Sequence, residues 1–266
     1  MIAAISLQAT FKKTAGRLSF VSNYTFGKVL GVRDGNTSNG GGNGAIANPY
    51  DLDSNYGVLA YDHSHVFNVA YTYELPDIIK GNAFGRAAIN GWKLSGITQW
   101  QSGAPIQPNT NENLNAVYPS GVNLRNLLGT DQGILLPQVT CDPRKGLKDG
   151  QYFNPACFTY PTKQGAYGDI VWPYIKGPSY FNSDLSVYKS FKITEGKSAE
   201  FRFSAFNFIN HSLKQFNADG TNNDLRLNFI GAGDAASTSN TNQFTTGEPL
   251  WKVGRRVVEL ALKFYF

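Results

Sequence analysis

The sequence predicts an all-β protein, an antiparallel up-and-down transmembrane β-barrel that is present in part, and three observations support this fold class. Seven stretches alternate apolar and polar residues with a period of two, which is typical of strands with one apolar face. The 18 Phe, 14 Tyr and 28 Gly favour strands and turns over helices. Short and long connections follow one another in the order expected for the two ends of such a sheet.

The predicted strands have one apolar and one mixed or polar face each. In the C-terminal strand, Glu259 and Lys263 lie on the face opposite an entirely apolar row. That row is Val258, Leu260, Leu262, Phe264 and Phe266. Most of the segments have about the 9 to 11 residues that a tilted transmembrane strand needs. They cover residues 5–12, 18–26, 65–74, 92–101, 184–193, 200–204 and, at the C-terminus, 254–266.

The connections differ strongly in length. "KTAGR" and "TEGKS" are short and "LPDIIKGNAFGRAAING" is moderate, whereas the other three are long. Compact domains rarely hold loops beyond about 12 to 15 residues, but outer-membrane barrels combine short periplasmic turns with long extracellular loops. Bacterial single-chain barrels have even strand numbers, so seven strands indicate a piece of a barrel or one irregular strand outside the pattern.

Aromatic residues are predicted to form girdles where hydrocarbon meets headgroups. Trp92 and Trp100 lie eight residues apart on one face of a strand, which is roughly 19 Å along the membrane normal at about 3.3 Å rise and 45° tilt. Tyr71 and Tyr73 are assigned to the same girdles. The alternative is that both Trp side chains pack in the core of a soluble sandwich.

The order of several motifs resembles the C-terminal part of TonB-dependent outer-membrane receptors of the type with a carboxypeptidase-regulatory-like domain. These motifs include "SLQATFKK", "LSFVSNYTFGKVL", "YDHSHVFNVAYTYELP", "INGWKLSGITQWQSGAPI", "FNPACF", "GPSYFNSDLSVYKSFKI" and "EFRFSAFNFINH". The resemblance implies that residues 1–266 are about seven or eight strands of a barrel of about 22 strands. The N-terminal plug and domains of the family are not recognised in these residues.

The resemblance also implies a function and partners. The expected function is outer-membrane uptake of a scarce oligosaccharide, peptide or chelate. The expected partners are outer-membrane lipid, lipopolysaccharide, the barrel assembly machinery and, through the N-terminal part, the TonB complex. The terminal row Val258, Leu260, Leu262, Phe264 and Phe266 matches the signal that the assembly machinery reads.

The long loop before the fifth strand holds both cysteines. Cys141 and Cys157 are predicted to form a disulfide that closes this loop in an oxidising compartment, the alternative being two free thiols. Tyr167, Trp172 and Tyr174 of the same loop are candidates for stacking on a ligand.

Catalysis has little support, and neither an enzyme nor a cofactor is predicted. No HExxH, GxSxG or CxxC arrangement occurs. Asp62, His63 and His65 are too few for a metal site and are read as solvated residues where a strand enters from an outer loop. The Gly-rich "GNTSNGGGNG" lacks a following GK[ST] and is read as an outer loop. Without a basic run, the net charge of +5 does not indicate nucleic acid as a partner.

Two groups of charged residues are left with two interpretations each. Glu200 and Arg202 share a strand face, which is lumenal in a barrel and merely solvated in a sandwich. Lys252, Arg255 and Arg256 either meet lipid phosphates or hydrate a rim. The alternative function from another class is an exported soluble β-sandwich or an adhesin-like carbohydrate-binding module.

Overall fold

In the computed structural model, one antiparallel sheet of seven long strands organises the protein. The strands are β1 Ile2–Lys13, β2 Leu18–Val32, β3 His65–Glu74, β4 Trp92–Gln101, β5 Tyr180–Thr194, β6 Lys197–Phe206 and β7 Val257–Tyr265. The structure describes residues 2–32, 51, 53, 56–59, 62–106, 115–117, 122, 124–129, 135, 137–147, 151–166, 168–169, 175–215, 226–229, 237–238 and 251–266.

Each long strand pairs with the next one in chain order, so the up-and-down topology predicted from the sequence is confirmed. β3 and β4 have the predicted bounds. β1, β2, β5 and β6 extend beyond the alternating stretches because cross-strand pairing continues there; β2 runs on to Val32, for example, beside the short strand Tyr56–Val58. β7 is shorter than the predicted 254–266. Among the described residues, β1 pairs only with β2 and β7 only with β6, so the sheet is not closed.

The strand register brings the seven apolar rows onto one side of the sheet. Directly paired residues in an antiparallel sheet point to the same side, and Leu7 pairs with Phe26, and Phe203 with Leu260. We call this side the apolar face and the other the polar face. The apolar face carries Ile5, Leu7, Phe11, Phe20, Tyr24, Phe26, Phe67, Val69, Tyr71, Tyr73, Trp92, Leu94, Trp100, Phe181, Leu185, Val187, Phe201, Phe203, Val258, Leu260, Leu262 and Phe264.

No second sheet of comparable size lies among the described residues. All other strands there have two or three residues, and side chains such as Leu7, Leu260 and Phe264 are exposed. A sandwich would bury this face against a facing sheet, so the described part of the chain does not have the arrangement that the sandwich alternative predicts.

The connections confirm the predicted division of the two ends. At the short-connection end lie residues 14–17, 195–196 and 75–91, the last containing helix α1, Ala83–Ile89. The long-connection end is where β2, β4 and β6 end and β3, β5 and β7 begin, and the connecting residues are 33–64, 102–179 and 207–256, of which the structure describes a part. Neither α1 nor the second described helix, α2 Leu124–Leu128, is long and apolar enough to cross a membrane.

The long connections contain short paired elements. Pro105–Ile106 pairs with Ile175–Lys176, Gln138–Val139 with Phe158–Thr159, and Leu213–Gln215 with Trp251–Val253. Arg226–Asn228 lies between Ser237–Thr238 and Asn115–Val117, with the latter in parallel. A 3₁₀ turn, Pro155–Cys157, precedes Phe158.

Candidate functional site

The apolar face has the chemistry of a surface in contact with hydrocarbon. Leu260, near the middle of β7, is 66% exposed, and its neighbours along this face are also exposed. Lipid offers no hydrogen bonds, so polar groups on such a face must satisfy one another. Thr98 and Ser183, a direct cross-strand pair on the apolar face, do so through hydroxyl oxygens 2.7 Å apart.

The predicted girdle residues occupy different levels of the apolar face. Trp92 and Trp100 lie at opposite ends of β4. The Trp92 ring meets Phe201 edge-on at 6.2 Å between centroids. Tyr71 pairs with Gly96, halfway between the two Trp residues, and its ring lies where a side chain at position 96 would be. Tyr73 pairs with Leu94.

Around Trp100, an aromatic cluster includes His65, which the sequence analysis read as a solvated residue. The His65 ring stacks 6.3 Å from Trp100 and lies 5.3 Å from Phe26, measured between centroids. Its Nδ1 is 2.8 Å from the Tyr24 hydroxyl oxygen. His65 therefore belongs to the aromatic residues at the long-connection end of the apolar face.

The interpretation of Asp62 as a solvated residue is wrong, whereas His63 and His65 are half-buried. Asp62 is fully buried. Its Oδ1 accepts a hydrogen bond from Val29 N at 2.7 Å, and its Oδ2 accepts one from Ser64 Oγ at 3.1 Å. His63 Nδ1 lies 2.7 Å from Ser102 O. These side chains join the start of β3 to the neighbouring strand β2 and to the loop after β4, which gives them a structural role.

Across the sheet, the polar face carries rows of hydrogen-bonding side chains. One row runs through directly paired positions, Thr10, Asn23, Asn68, Gln99 and Asn182. Thr10 Oγ1 donates to Asn23 Oδ1 at 2.9 Å. Such a row of amides and hydroxyls is typical of a lumenal wall, where water or a polar ligand is the partner.

Charged residues of the polar face gather near the short-connection end. Lys93 and Glu74 form an ion pair of 2.6 Å between β4 and β3. Arg202 Nη2 donates to Glu200 Oε1 at 2.9 Å, and its guanidinium lies 5.4 Å from the ring centroid of Tyr188 on β5. Glu200 and Arg202 thus interact with each other and, through the Tyr188 ring, with the adjacent strand.

The long connection between β4 and β5 contains a buried core, which we call the outer module, residues 135–166. Cys141 and Cys157, which are 16 positions apart in the sequence, are joined in a disulfide. Phe153 and Phe158 are fully buried, and their rings meet edge-on at 5.9 Å. The described part of this loop is therefore a small folded unit at the end of the sheet.

Next to the disulfide, a carboxylate has a lowered pKa. The Arg144 guanidinium donates to both carboxylate oxygens of Asp142, at 2.9 and 3.0 Å. These hydrogen bonds, with a further one from the Arg144 backbone N–H, lower the pKa of Asp142 to about 2.

The outer module contacts the other long loop. The ring centroids of Tyr160 and Phe229 are 5.4 Å apart, and the two rings are nearly perpendicular. The parallel pairing of Asn115–Val117 with Arg226–Asn228 also connects residues 102–179 with residues 207–256. The candidate ligand contacts Tyr167, Trp172 and Tyr174 lie outside the described residues.

The residues of the predicted assembly signal lie on the outermost described strand. Val258, Leu260, Leu262 and Phe264 pair with successive apolar positions of β6, and the other edge of β7 has no partner among the described residues. Phe266 follows the strand and is exposed. Arg256, just before β7, donates from Nη1 to Phe208 O at 3.2 Å, while Arg255 is exposed. The Lys252 side chain lies outside the described part of the structure.

Two residues with important contacts were missed from the sequence. Lys189 stands in the apolar row of β5, between Val187 and Phe191, and this break in the pattern was the available signal. Asn207 follows β6 at a φ of 48°, and its side-chain amide donates to His211 O and Gly254 O. It therefore fixes the loop after β6 to the residues just before β7.

A metal centre is not apparent in the parts of the chain that the structure describes, where no three His, Cys, Asp or Glu side chains come close enough to share an ion.

One comparison with known proteins identifies a family. A family model described as an outer membrane beta barrel domain matches residues 5–249. No curated protein and no solved structure matches the chain significantly.

Proposed function

Because this chain belongs to the outer membrane beta barrel domain family and is located in the outer membrane, we propose that its sheet is part of the barrel wall of a TonB-dependent receptor. The receptor would take up a scarce ligand, an oligosaccharide, a peptide or a chelate. The order of the sequence motifs described above supports this type of receptor.

The observation that carries the proposal is one continuous apolar face on a single sheet whose two end strands, within the described part of the chain, each pair on one side only. Unpaired backbone groups at a sheet edge are costly in lipid, so a spanning sheet must close. Further strands between β7 and β1 would close it, which fits a barrel larger than the seven strands described.

The polar face supports a lumen for a polar ligand. The amide and hydroxyl row from Thr10 to Asn182 presents donors and acceptors across five strands. The folded outer module would stand above this wall at the long-connection end, which is extracellular in outer-membrane barrels. A ligand would therefore meet an ordered loop surface before it reaches the lumen.

The test uses cells that produce the full-length protein and a panel of labelled oligosaccharides, peptides and iron chelates. We expect one class to accumulate in the periplasm only when the TonB complex is functional and the receptor is present. Cells without the receptor are the control for other routes. Accumulation that persists after inactivation of TonB would contradict energised uptake, and the barrel itself is checked independently by its heat-modifiable migration in outer-membrane fractions.

A further inference from the structure

We propose that residues 75–91, between β3 and β4, form an interfacial anchor that inserts apolar side chains into the periplasmic leaflet of the outer membrane. We call these residues the anchor segment. Its expected partner is the headgroup and upper acyl region of a phospholipid layer. The proposal rests on the barrel fold and is independent of which ligand the receptor takes up.

The anchor segment has a defined fold of its own. Asn82 caps α1, its Oδ1 accepting from Phe84 N at 2.9 Å. Asn90, at the other end of α1, accepts at Oδ1 from Ile78 N and Ile79 N, both at 3.0 Å. Its Nδ2 donates to Ile79 O at 2.7 Å. These bonds fold residues 78–79 back onto the end of the helix, so the exposed residues are held in fixed positions.

Two side chains of the apolar face hold the helix. Trp92 Nε1 donates to Ala88 O at 3.0 Å. Lys189 Nζ donates to Ala87 O and Asn90 O at the C-terminal end of α1, where a cation is favourable. Trp92 and Lys189 are a direct cross-strand pair on the apolar face. The C-terminal end of α1 is therefore attached on the apolar side of the sheet, not on the lumenal side.

The surroundings of Lys189 support its role in holding the helix. Its side chain is only 4% exposed, and the ammonium lies 5.6 Å from the Trp92 ring centroid and 5.1 Å from that of Phe191. A lysine on a membrane-facing side is costly unless its charge has polar partners. The helix carbonyls and the aromatic rings supply those partners, so Lys189 is a positioning residue for the anchor segment.

Three large apolar side chains of the anchor segment are exposed. Phe84 is 81% exposed, Ile78 68% and Ile89 48%. The attachment through Trp92 and Lys189 places the anchor segment beside the apolar face at the short-connection end, where the hydrocarbon region meets the periplasmic headgroups. Interfacial helices bury their apolar side roughly 5 to 10 Å into this boundary.

The charges of the anchor segment suit anionic headgroups. Lys80 and Arg86 are exposed, and Asp77 is the one acidic residue between positions 75 and 91. Long basic side chains reach phosphates while their neighbours remain in the apolar layer. Continuity with the membrane-facing surface and this basic balance together favour lipid over a protein partner.

The experiment measures the depth of position 84 in the full-length protein. Phe84→Cys is labelled with an environment-sensitive fluorophore and reconstituted into vesicles of phosphatidylethanolamine and phosphatidylglycerol, with and without nitroxide-labelled phospholipid. The native cysteines are bonded to each other and do not compete for the label. Glu195→Cys, in the exposed turn between β5 and β6 at the same end, is the matched control.

We expect a blue shift and loss of most of the emission on nitroxide lipid at position 84, and neither effect at position 195. Equal emission at both positions in the presence of nitroxide lipid would overturn the proposal. A blue shift at position 84 without lipid quenching, which disappears when the protein is diluted into more lipid, would instead indicate a second protein molecule as the partner and would also overturn it.

A second pair of variants tests the role of Lys189. In the labelled Phe84→Cys background, Lys189→Met should reduce the quenching because the end of α1 loses its hydrogen bonds to Lys189 and keeps only the one from Trp92. Unchanged quenching would refute the positioning role. If Lys189→Met lacks heat-modifiable migration, Trp92→Phe, which keeps an aromatic ring but removes the hydrogen bond to Ala88 O, gives the same readout.

Discussion

A single arginine on either face of β7 tests the assignment of the two faces directly. Leu260 lies on the apolar face, one residue from the middle of β7, and Glu259 lies beside it on the polar face. An arginine on the lipid side of a barrel near the midplane costs about 2 to 4 kcal/mol, whereas lumenal positions tolerate charge. At 1.4 kcal/mol per factor of ten, Leu260→Arg should lower the folding equilibrium constant about 30- to 700-fold.

Glu259→Arg is the matched control, since it introduces the same side chain at the next position with the opposite orientation. Its pairing partner on β6 is Ser204, so the new arginine meets no charge directly across the strands. The assay is the denaturant dependence of folding of the full-length protein into phospholipid vesicles, followed by heat-modifiable migration. We expect a large shift of the midpoint for Leu260→Arg and a small one for Glu259→Arg.

Equal shifts for the two variants would refute the assignment of faces. A larger shift for Glu259→Arg would mean that the apolar face is turned toward the lumen. Either result would remove the main support for the barrel-wall proposal, while the strand order itself would stand.

Three further predictions concern the long-connection end. Replacing Cys141 and Cys157 by Ser should lower the free energy of unfolding of the outer module by about 3 kcal/mol, as expected for a loop of this length. Limited proteolysis of intact cells should then cut the module while the barrel still migrates as folded. Unchanged resistance of the module to protease would contradict this prediction. Gly103→Ala should destabilise the protein by about 1 to 3 kcal/mol because the new Cβ would overlap Gly177 O, whereas Gly81→Ala has open space and should melt like the parent. The Asp142 carboxyl should titrate by NMR with a pKa of about 2, below its ordinary value of 3.8. Because its folded pKa is depressed, its contribution to the stability of the module is present above about pH 4 and is lost as the pH falls through about 2. A titration midpoint near 3.8 would show that Arg144 does not lower the pKa of Asp142.

Much of the sheet could be predicted because each strand carries its own period-two pattern. The rows of β1 and β7, for instance, identify which side is apolar without any knowledge of their neighbours. The register then follows, since a slip of one residue would place Leu260 opposite the polar row of β6. The strand ends could not be predicted in this way because they depend on pairing partners such as Tyr56–Val58.

Features that depend on distant residues were beyond the sequence pattern. The burial of Asp62 follows from its bond to Val29 N, more than thirty positions earlier. Helix α1 has seven residues, too few for a helical period to stand out, and its attachment through Lys189 joins positions about a hundred residues apart. The pairing of Asn115–Val117 with Arg226–Asn228 has the same origin.

This last pairing has a consequence for grafting and deletion of surface loops. The two connections share a strand pair and the Tyr160–Phe229 ring contact. They therefore form one structural unit. Removing either one alone would uncover the aromatic surface of the other. A chimaera that exchanges recognition between related barrels should therefore transplant both connections together.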